Sequence, residues 1–341
     1  MTTSVDPVKT VAVLGAGTVG SALLRRLTPL PAFRVSSVLV RDTKVRRDVS
    51  LEPGILTDDP QRALEGADLV VELMGGTGLA RQLMLQALEA GKPVITGNKA
   101  ALAEHWEEFL PFIERGQLYF EASVMAGTPV IAPLVHVLRG SEPLQLEAVL
   151  NGTCSYIIGR LEDGLDFAAA LQEAQDLGYA EADPTLDIGG IDAAHKLSIM
   201  ARLAFDPDLG WQEVLAATSG ISELTPGIVK EAMEDGGSVT LLASINPGAD
   251  RWEARVRPVY LPAGHNLAQL GAGLNGFLFQ GRQSGSIFMS GPGAGGDSTA
   301  SAVLADLLQA AAGQPGPLPL GTARALPTDW RGQPRGELKR A

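Results

Sequence analysis

The chain has a single cysteine, Cys154, among 341 residues. One thiol excludes an internal disulfide and fits a reducing compartment, so a cytoplasmic protein is expected. Basic blocks are also missing: 27 Lys and Arg stand against 39 Asp and Glu, a formal charge of −12. Nucleic-acid phosphates demand clustered cations, so no nucleic-acid partner is expected. No apolar run approaches the roughly twenty residues of a membrane-spanning helix, so no membrane partner is expected either. Residues 1–9 have neither a charged n-region nor an apolar h-region, and no secretion signal is read there. The four histidines, His105, His136, His195 and His265, show no metal-ligand spacing. Cys154 has no accompanying histidine motif, which makes it a packing residue rather than a nucleophile.

What the chain does contain begins with a strand. Residues 10–14 (TVAVL) form a short β-branched apolar run of the kind buried in parallel sheets. They lead into Gly15, Ala16, Gly17, Thr18, Val19 and Gly20, then a helical stretch at 21–27. This is G-x-G-x-x-G in the context that gives the pattern meaning. Gly15 allows the turn, Gly17 lets the backbone approach a pyrophosphate, and Gly20 permits close helix–strand packing. The helix start offers N–H groups and a positive dipole end to phosphates. The alternative is a glycine-rich turn that binds nothing.

A second strand at 35–40 runs into Arg41 and Asp42, where the ribose-reading residue of such a fold is expected. An arginine accepts a 2′-phosphate and an acid bonds a 2′-hydroxyl, so the pattern favours NADP and leaves NAD open. Further strands at 67–74 and 93–96 flank a helix at 79–90. This alternation predicts an α/β fold whose N-terminal part is a Rossmann-type doubly wound parallel sheet, with ligands at the carboxyl ends of its strands. Gly76, Thr77, Thr96 and Lys99 fall at such ends. Lys99 can reach cofactor or substrate oxygens, or simply cap a loop. The chain is long enough for two domains. Strands at 146–150, 239–245 and 254–260 predict a second, α+β domain.

Residues 181–196 (EADPTLDIGGIDAAHK) place charge where packing asks for none. Asp192 and Lys196 are four apart, on one face of a helix predicted over 191–205, beside an apolar stripe of Ala193, Leu197, Met200 and Ala204. Glu181 and Asp187 lie in the preceding loop. A lysine beside carboxylates can protonate a carbonyl under reduction, and carboxylates can grip a substrate ammonium. A solvated helix face is the alternative. His195 faces away from Asp192 and reads as structural or surface. Asp297, Ser298 and Thr299 are plausible N-caps for a helix at 300–311, and the Pro/Gly/Arg-rich chain from Gly313 reads as a loosely held end.

With these residues in hand, the chain resembles homoserine dehydrogenases along most of its length. The carrying motifs are Gly15 to Gly20, GNKAAL at 97–102, YFEASVMAGTP at 119–129, Asn151-Gly152-Thr153, the block from Leu177 through Lys196, and GPGAGG at 291–296. The resemblance implies reduction of L-aspartate 4-semialdehyde to L-homoserine with NADP or NAD, on the route to threonine, methionine and isoleucine. It makes Lys196 the proton donor, Asp192 its partner, and Lys99 the lysine at the cofactor–substrate junction. Glu181 would bind the substrate amino group, with Asp187, Thr153 and Gly178 as further contacts. Glu121 would hold a monovalent cation such as Na+ with the carbonyls of Val124, Ala126 and Thr128, or else bond loop N–H groups. The glycine run, Gly295 included, would close over the cofactor. A discontinuous cofactor domain (1–130 and 297–325), a substrate domain (131–296) and a flexible tail (326–341) are expected, in a homodimer. Many members carry a C-terminal ACT domain; with the sequence stopping at Ala341, a short single-function form is expected. The competing readings are a reductase of a related semialdehyde and a non-catalytic nicotinamide sensor.

Overall fold

The computed structural model describes residues 8–234, 236–271 and 273–328. The chain divides into two compact units. One runs to Ile131 and resumes over Ala294–Leu318; the other holds Ala132–Gly293 and the chain from Pro319 onwards.

The first unit is built on six parallel strands: β1 (Lys9–Leu14), β2 (Phe33–Leu39), β3 (Leu56–Thr57), β4 (Leu69–Glu72), β5 (Val94–Thr96) and β6 (Leu118–Tyr119). Their order, β3-β2-β1-β4-β5-β6, is that of the Rossmann-type sheet expected from the sequence. Val11 to Leu14 are fully buried, because helices cover both faces of a central parallel strand. The Thr18–Leu27 helix contributes Ala22, Leu23, Leu24 and Leu27 to this core. The Leu79–Glu89 helix buries Ala80, Leu83, Met84, Ala87 and Leu88 and ends before Gly91, whose φ of 76° is the left-handed turn glycine favours. Strand order reverses across β1 and β4, so their carboxyl ends border the crevice where such sheets bind ligands.

The last long helix, Gly296–Ala311, starts earlier than predicted, and its N-cap is Gly295. Asp297, Ser298 and Thr299 therefore fill its first turn instead of capping it. The start is packed closely: a Cβ on Gly296 would sit 2.9 Å from the Thr18 methyl, which favours glycine there. The Ser298 hydroxyl accepts from the Gly127 N–H at 3.2 Å, and the Thr299 hydroxyl donates back to the Gly295 carbonyl at 2.8 Å.

The second unit carries five antiparallel strands: β7 (Pro143–Val149), β8 (Ser238–Pro247), β9 (Trp252–Leu261), β10 (Leu274–Gly281) and β11 (Gly285–Pro292), in the order β11-β10-β7-β8-β9. Phe277 lies opposite Ala148 and Phe279 opposite Leu146, all buried on one face. The Ile191–Ala204 helix is seated on the core by its apolar stripe, as its spacing predicts, and burial extends all the way round: every residue from Asp192 to Ala204 is buried, which excludes the solvated face. Its alanines leave room for neighbours on all sides. His195 stacks on Trp211 at 4.5 Å between ring centres, which settles it as structural.

The chain from Gly313 to Thr328 is not the loose end its composition suggested. The Gly316 N–H bonds the Gly116 carbonyl at 2.9 Å, the Leu320 N–H that of Leu203 at 3.1 Å, and the Arg324 N–H that of Phe205 at 2.7 Å. The Trp252 indole donates to the Arg324 carbonyl at 2.8 Å. Backbone bonds, which leave no mark in an apolar pattern, do the anchoring. Most of the tail expected at 326–341 lies outside the described residues. Among those described, no helix is long and apolar enough to cross a membrane.

Candidate active site

In the first unit the three glycines answer to three different constraints. Gly15 has a φ of 104°, and a Cβ there would lie 2.8 Å from the Leu73 backbone. A Cβ on Gly20 would strike the Gly15 carbonyl oxygen at 2.1 Å. Gly17 has nothing within 4 Å, so the space above it is open to a ligand. Gly17 is also the N-cap of the Thr18–Leu27 helix and offers no side-chain cap, leaving Thr18 and Val19 in a first turn whose N–H groups no cap side chain takes. Ala16 shapes the turn by accepting the Ser21 hydroxyl at 3.1 Å. These features fit a pyrophosphate. Arg41 follows β2 and is exposed; the Asp42 carboxylate is taken by the Lys44 N–H at 2.8 Å.

The carboxyl ends of β4 and β5 hold a polar network that sequence reasoning missed. Glu72 is fully buried, and its Oε1 accepts the N–H groups of Met74 at 2.7 Å and Gly75 at 2.8 Å. Its Oε2 accepts the Thr96 hydroxyl at 2.7 Å. Thr96 in turn accepts the Asn98 N–H at 2.9 Å, and Asn98 donates to the Gly76 carbonyl at 2.8 Å. So Gly76, Thr77 and the start of the Lys99–Glu104 helix, Lys99 at its first position, are fixed from beneath. The one available signal was an acid closing an otherwise apolar strand.

Around Glu121, Oε1 accepts the N–H groups of Val130 at 2.7 Å and Ile131 at 2.9 Å. The loop between them, Val124 through Thr128, contains Ala126, the one non-glycine residue with positive φ (50°) among those described. Asp306 faces this loop from the Gly296–Ala311 helix and accepts the Glu121 N–H at 2.9 Å. Burial, then the Glu121 carboxylate, pushes its pKa up to about 8.

In the second unit the predicted acid–lysine pair is real and buried. Lys196 Nζ donates to Asp192 Oδ2 at 2.9 Å and to the Leu150 carbonyl at 2.6 Å, with both side chains about a tenth exposed. Asn151, to which sequence reasoning gave no role, binds the cluster: its Nδ2 donates to Asp187 Oδ1 at 2.7 Å and to Asp192 Oδ2 at 2.9 Å. Its Oδ1 caps the Gly152–Glu162 helix through the Cys154 N–H at 2.8 Å. Gly190, at φ 78°, is the N-cap that turns the chain between Asp187 and Asp192. The Thr153 hydroxyl donates to the Tyr179 carbonyl at 2.6 Å, beside Gly178 at φ 77°. The Glu181 side chain is exposed, and only its carbonyl is held, by Gln175 at 3.1 Å. Cys154 is buried with its thiol donating to the Asp187 carbonyl at 3.2 Å; burial, then Asp187 and Asp192, pushes its pKa well up.

A buried ion pair is weak evidence for stability, since desolvation offsets much of the attraction. An ammonium held by a carboxylate and a carbonyl can serve as a fixed positive charge and a proton donor.

A family model described as homoserine dehydrogenase matches residues 129–308, and one described as homoserine dehydrogenase, NAD binding domain matches residues 15–120. The chain is 40% identical over 319 residues to the homoserine dehydrogenase of Mycobacterium tuberculosis, covering 88% of this chain and 72% of that protein. It is 36% identical over 320 residues to that of Corynebacterium glutamicum, covering 88% and 71%. Among solved structures, a homoserine dehydrogenase from Thiobacillus denitrificans superposes with a TM-score of 0.82 at 35% identity, covering 89% of this chain and 73% of that one.

Proposed function

Because the chain belongs to the homoserine dehydrogenase family, it is an NAD(P)-dependent oxidoreductase that reduces L-aspartate 4-semialdehyde to L-homoserine, and we propose that the Asn151–Asp187–Asp192–Lys196 cluster carries that reduction. The observation that carries this reading is the Lys196 ammonium, fixed between Asp192 and the Leu150 carbonyl in a buried setting. The bound nicotinamide supplies the hydride. Lys196 gives a proton to the aldehyde oxygen as negative charge develops there. Asp192 keeps the ammonium aimed and compensates its charge. Glu181, with its carboxylate exposed ahead of the cluster, takes the substrate ammonium, while Asp187, Thr153 and the Gly178 backbone complete the pocket.

NADP is the favoured cofactor. Asp42 is committed to its own turn, which leaves Arg41 as the residue suited to a 2′-phosphate. Lys99 serves the junction of cofactor and substrate; Gly76, Thr77, Thr96 and Gly295 line the cofactor side. A monovalent cation such as Na+ fits the oxygen-rich loop of Glu121, Val124, Ala126 and Thr128, as a brace and not a reactant. The chain works as a homodimer in the cytoplasm, on the route to threonine, methionine and isoleucine. Support for the dimer comes from the second sheet, one face of which holds a cavity of about 250 Å³ lined by Glu147, Glu253, Arg255 and Arg257 among others. Mixed charge on one face suits a two-fold related copy.

A steady-state assay oxidising homoserine with either cofactor tests the function. Turnover with NADP at a kcat/KM at least tenfold above that with NAD is expected. Cofactor binding without turnover would instead describe a nicotinamide sensor.

A further inference from the structure

Asn275 is 1% exposed, near the start of β10, and apolar neighbours such as Leu267 and Phe277 are buried in the same unit. Its Nδ2 donates to the Leu150 carbonyl at 3.1 Å. That oxygen is the one that accepts Lys196 Nζ at 2.6 Å. A carbonyl oxygen has two lone pairs, and here both are used. Oδ1 of the same amide is buried without a hydrogen-bond partner. The amide is also held from the other side: a Cβ on Gly293 would lie 2.1 Å from Asn275 Cγ, so only glycine leaves room for it.

Packing does not explain an asparagine here. Leucine has the same branching, though more bulk, and would leave no orphaned acceptor, whose burial is unfavourable. What Asn275 has and leucine lacks is the N–H aimed at the Leu150 oxygen. That oxygen is one of the groups holding the Lys196 ammonium; Asp192, another, is set by Asn151. Without Asn275 the Leu150 carbonyl loses a donor that fixes its direction, and the ammonium bonded to it is aimed less tightly.

We propose that Asn275 is a positioning residue for the reduction, setting where Lys196 presents its proton by sharing the Leu150 carbonyl with it. This rests on Lys196 as the proton donor. Other charged groups around the lysine are Asp192 on its own helix and Asp187 through Asn151, with the Cys154 thiol also near Asp187. None of them contacts the Leu150 oxygen in place of Asn275.

The test is a double-mutant cycle with isotope effects in the reductive direction. Asn275→Leu should lower kcat at least tenfold while leaving the KM for the reduced cofactor within twofold. The solvent deuterium isotope effect on kcat should rise, because proton delivery has become slower relative to the other steps. Combined with Lys196→Ala, the same change should lower the residual rate no further. An asparagine that merely supports the fold would lower the active fraction with the isotope effect unchanged, and would act equally in both backgrounds; either result overturns the proposal. Should the leucine variant fail to fold, Asn275→Ser and Asn275→Ala are compared instead, with serine, which keeps a donor, expected to retain more of kcat. Equal rates for the two would overturn it as well. The Lys196→Ala single variant separates the two failures: undiminished rate there removes the proton-donor reading itself.

Discussion

Asp192 and Lys196 owe their chemistry to where Asn151 and Leu150 sit. Two carboxylates in one buried cluster repel, and the Asn151 amide bonded to both offsets that repulsion. Asn151→Ala should therefore cut kcat by about tenfold or more and also lower the melting temperature, since a helix cap worth about 1 kcal/mol goes with it. Glu181 belongs to a different class. On the proposed reading its exposed carboxylate grips substrate without touching the reacting oxygen, so Glu181→Gln should raise the KM for aspartate semialdehyde about tenfold and leave kcat within threefold. A fall in kcat alone would place Glu181 in the chemical step instead. The Cys154 thiol, its pKa raised by burial, should resist alkylation at neutral pH in the folded protein and react only on unfolding. At this scale the sequence announced Asp192 and Lys196 through their four-residue spacing. It named Asn151 in a motif but gave no role to it, since its partners lie 36 and 41 residues away, and it was silent about Asn275, 125 residues from the carbonyl it bonds. Side-chain amides follow no period, and their partners are chosen by the fold.

Among the elements, the glycine turn makes the sharpest distinction. Gly17→Ala has room for its Cβ in the free protein, so the variant should melt normally yet bind cofactor at least tenfold more weakly in a fluorescence titration. Gly20→Ala meets the Gly15 carbonyl at 2.1 Å and should lose stability outright. Equal melting temperatures for the two would contradict the roles assigned to them. The Gly296–Ala311 helix makes a pH prediction through Asp306. Its folded pKa, about 8, lies above the ordinary carboxyl value of 3.8, so the folded chain binds an extra proton between those values. Stability therefore falls as pH rises from about 4 to 8 and levels off beyond. Asp306→Asn should remove that slope and raise the melting temperature at pH 8. The helices and strands of the first unit were legible because parallel strands read as apolar runs and the glycine turn has a fixed spacing. The start of this last helix was not, because its N-cap is Gly295, which offers no side-chain cap, and the three capping residue types that follow lie inside the first turn.

For the whole molecule, the two units differ in how much of them could be read. The six-stranded sheet follows from alternation of strand and helix. The antiparallel sheet was only partly visible: β7, β8 and β9 carry apolar runs, whereas β10 and β11 are interrupted by glycine and serine and pair through the backbone. The stretch from Gly313 to Thr328 misled for a related reason, since its anchors are carbonyls and N–H groups supplied by distant segments. The sheet face bearing Glu147, Arg255 and Arg257 carries the homodimer prediction. Sedimentation should give twice the 35.6 kDa chain mass, and Arg255→Glu with Arg257→Glu should shift it toward the monomer. A monomeric parent protein would remove the dimer from the account.

The lysine is where residue, helix and reaction meet, and Lys196→Ala followed through a single turnover examines it most directly. With saturating reduced cofactor and aspartate semialdehyde, loss of the nicotinamide absorbance should slow at least a hundredfold, as removal of a positioned general acid typically does. Cofactor affinity, measured separately by titration, should stay within about twofold of the parent. An undiminished rate in that variant, with cofactor bound, would contradict the assignment of Lys196 as the group that protonates the substrate.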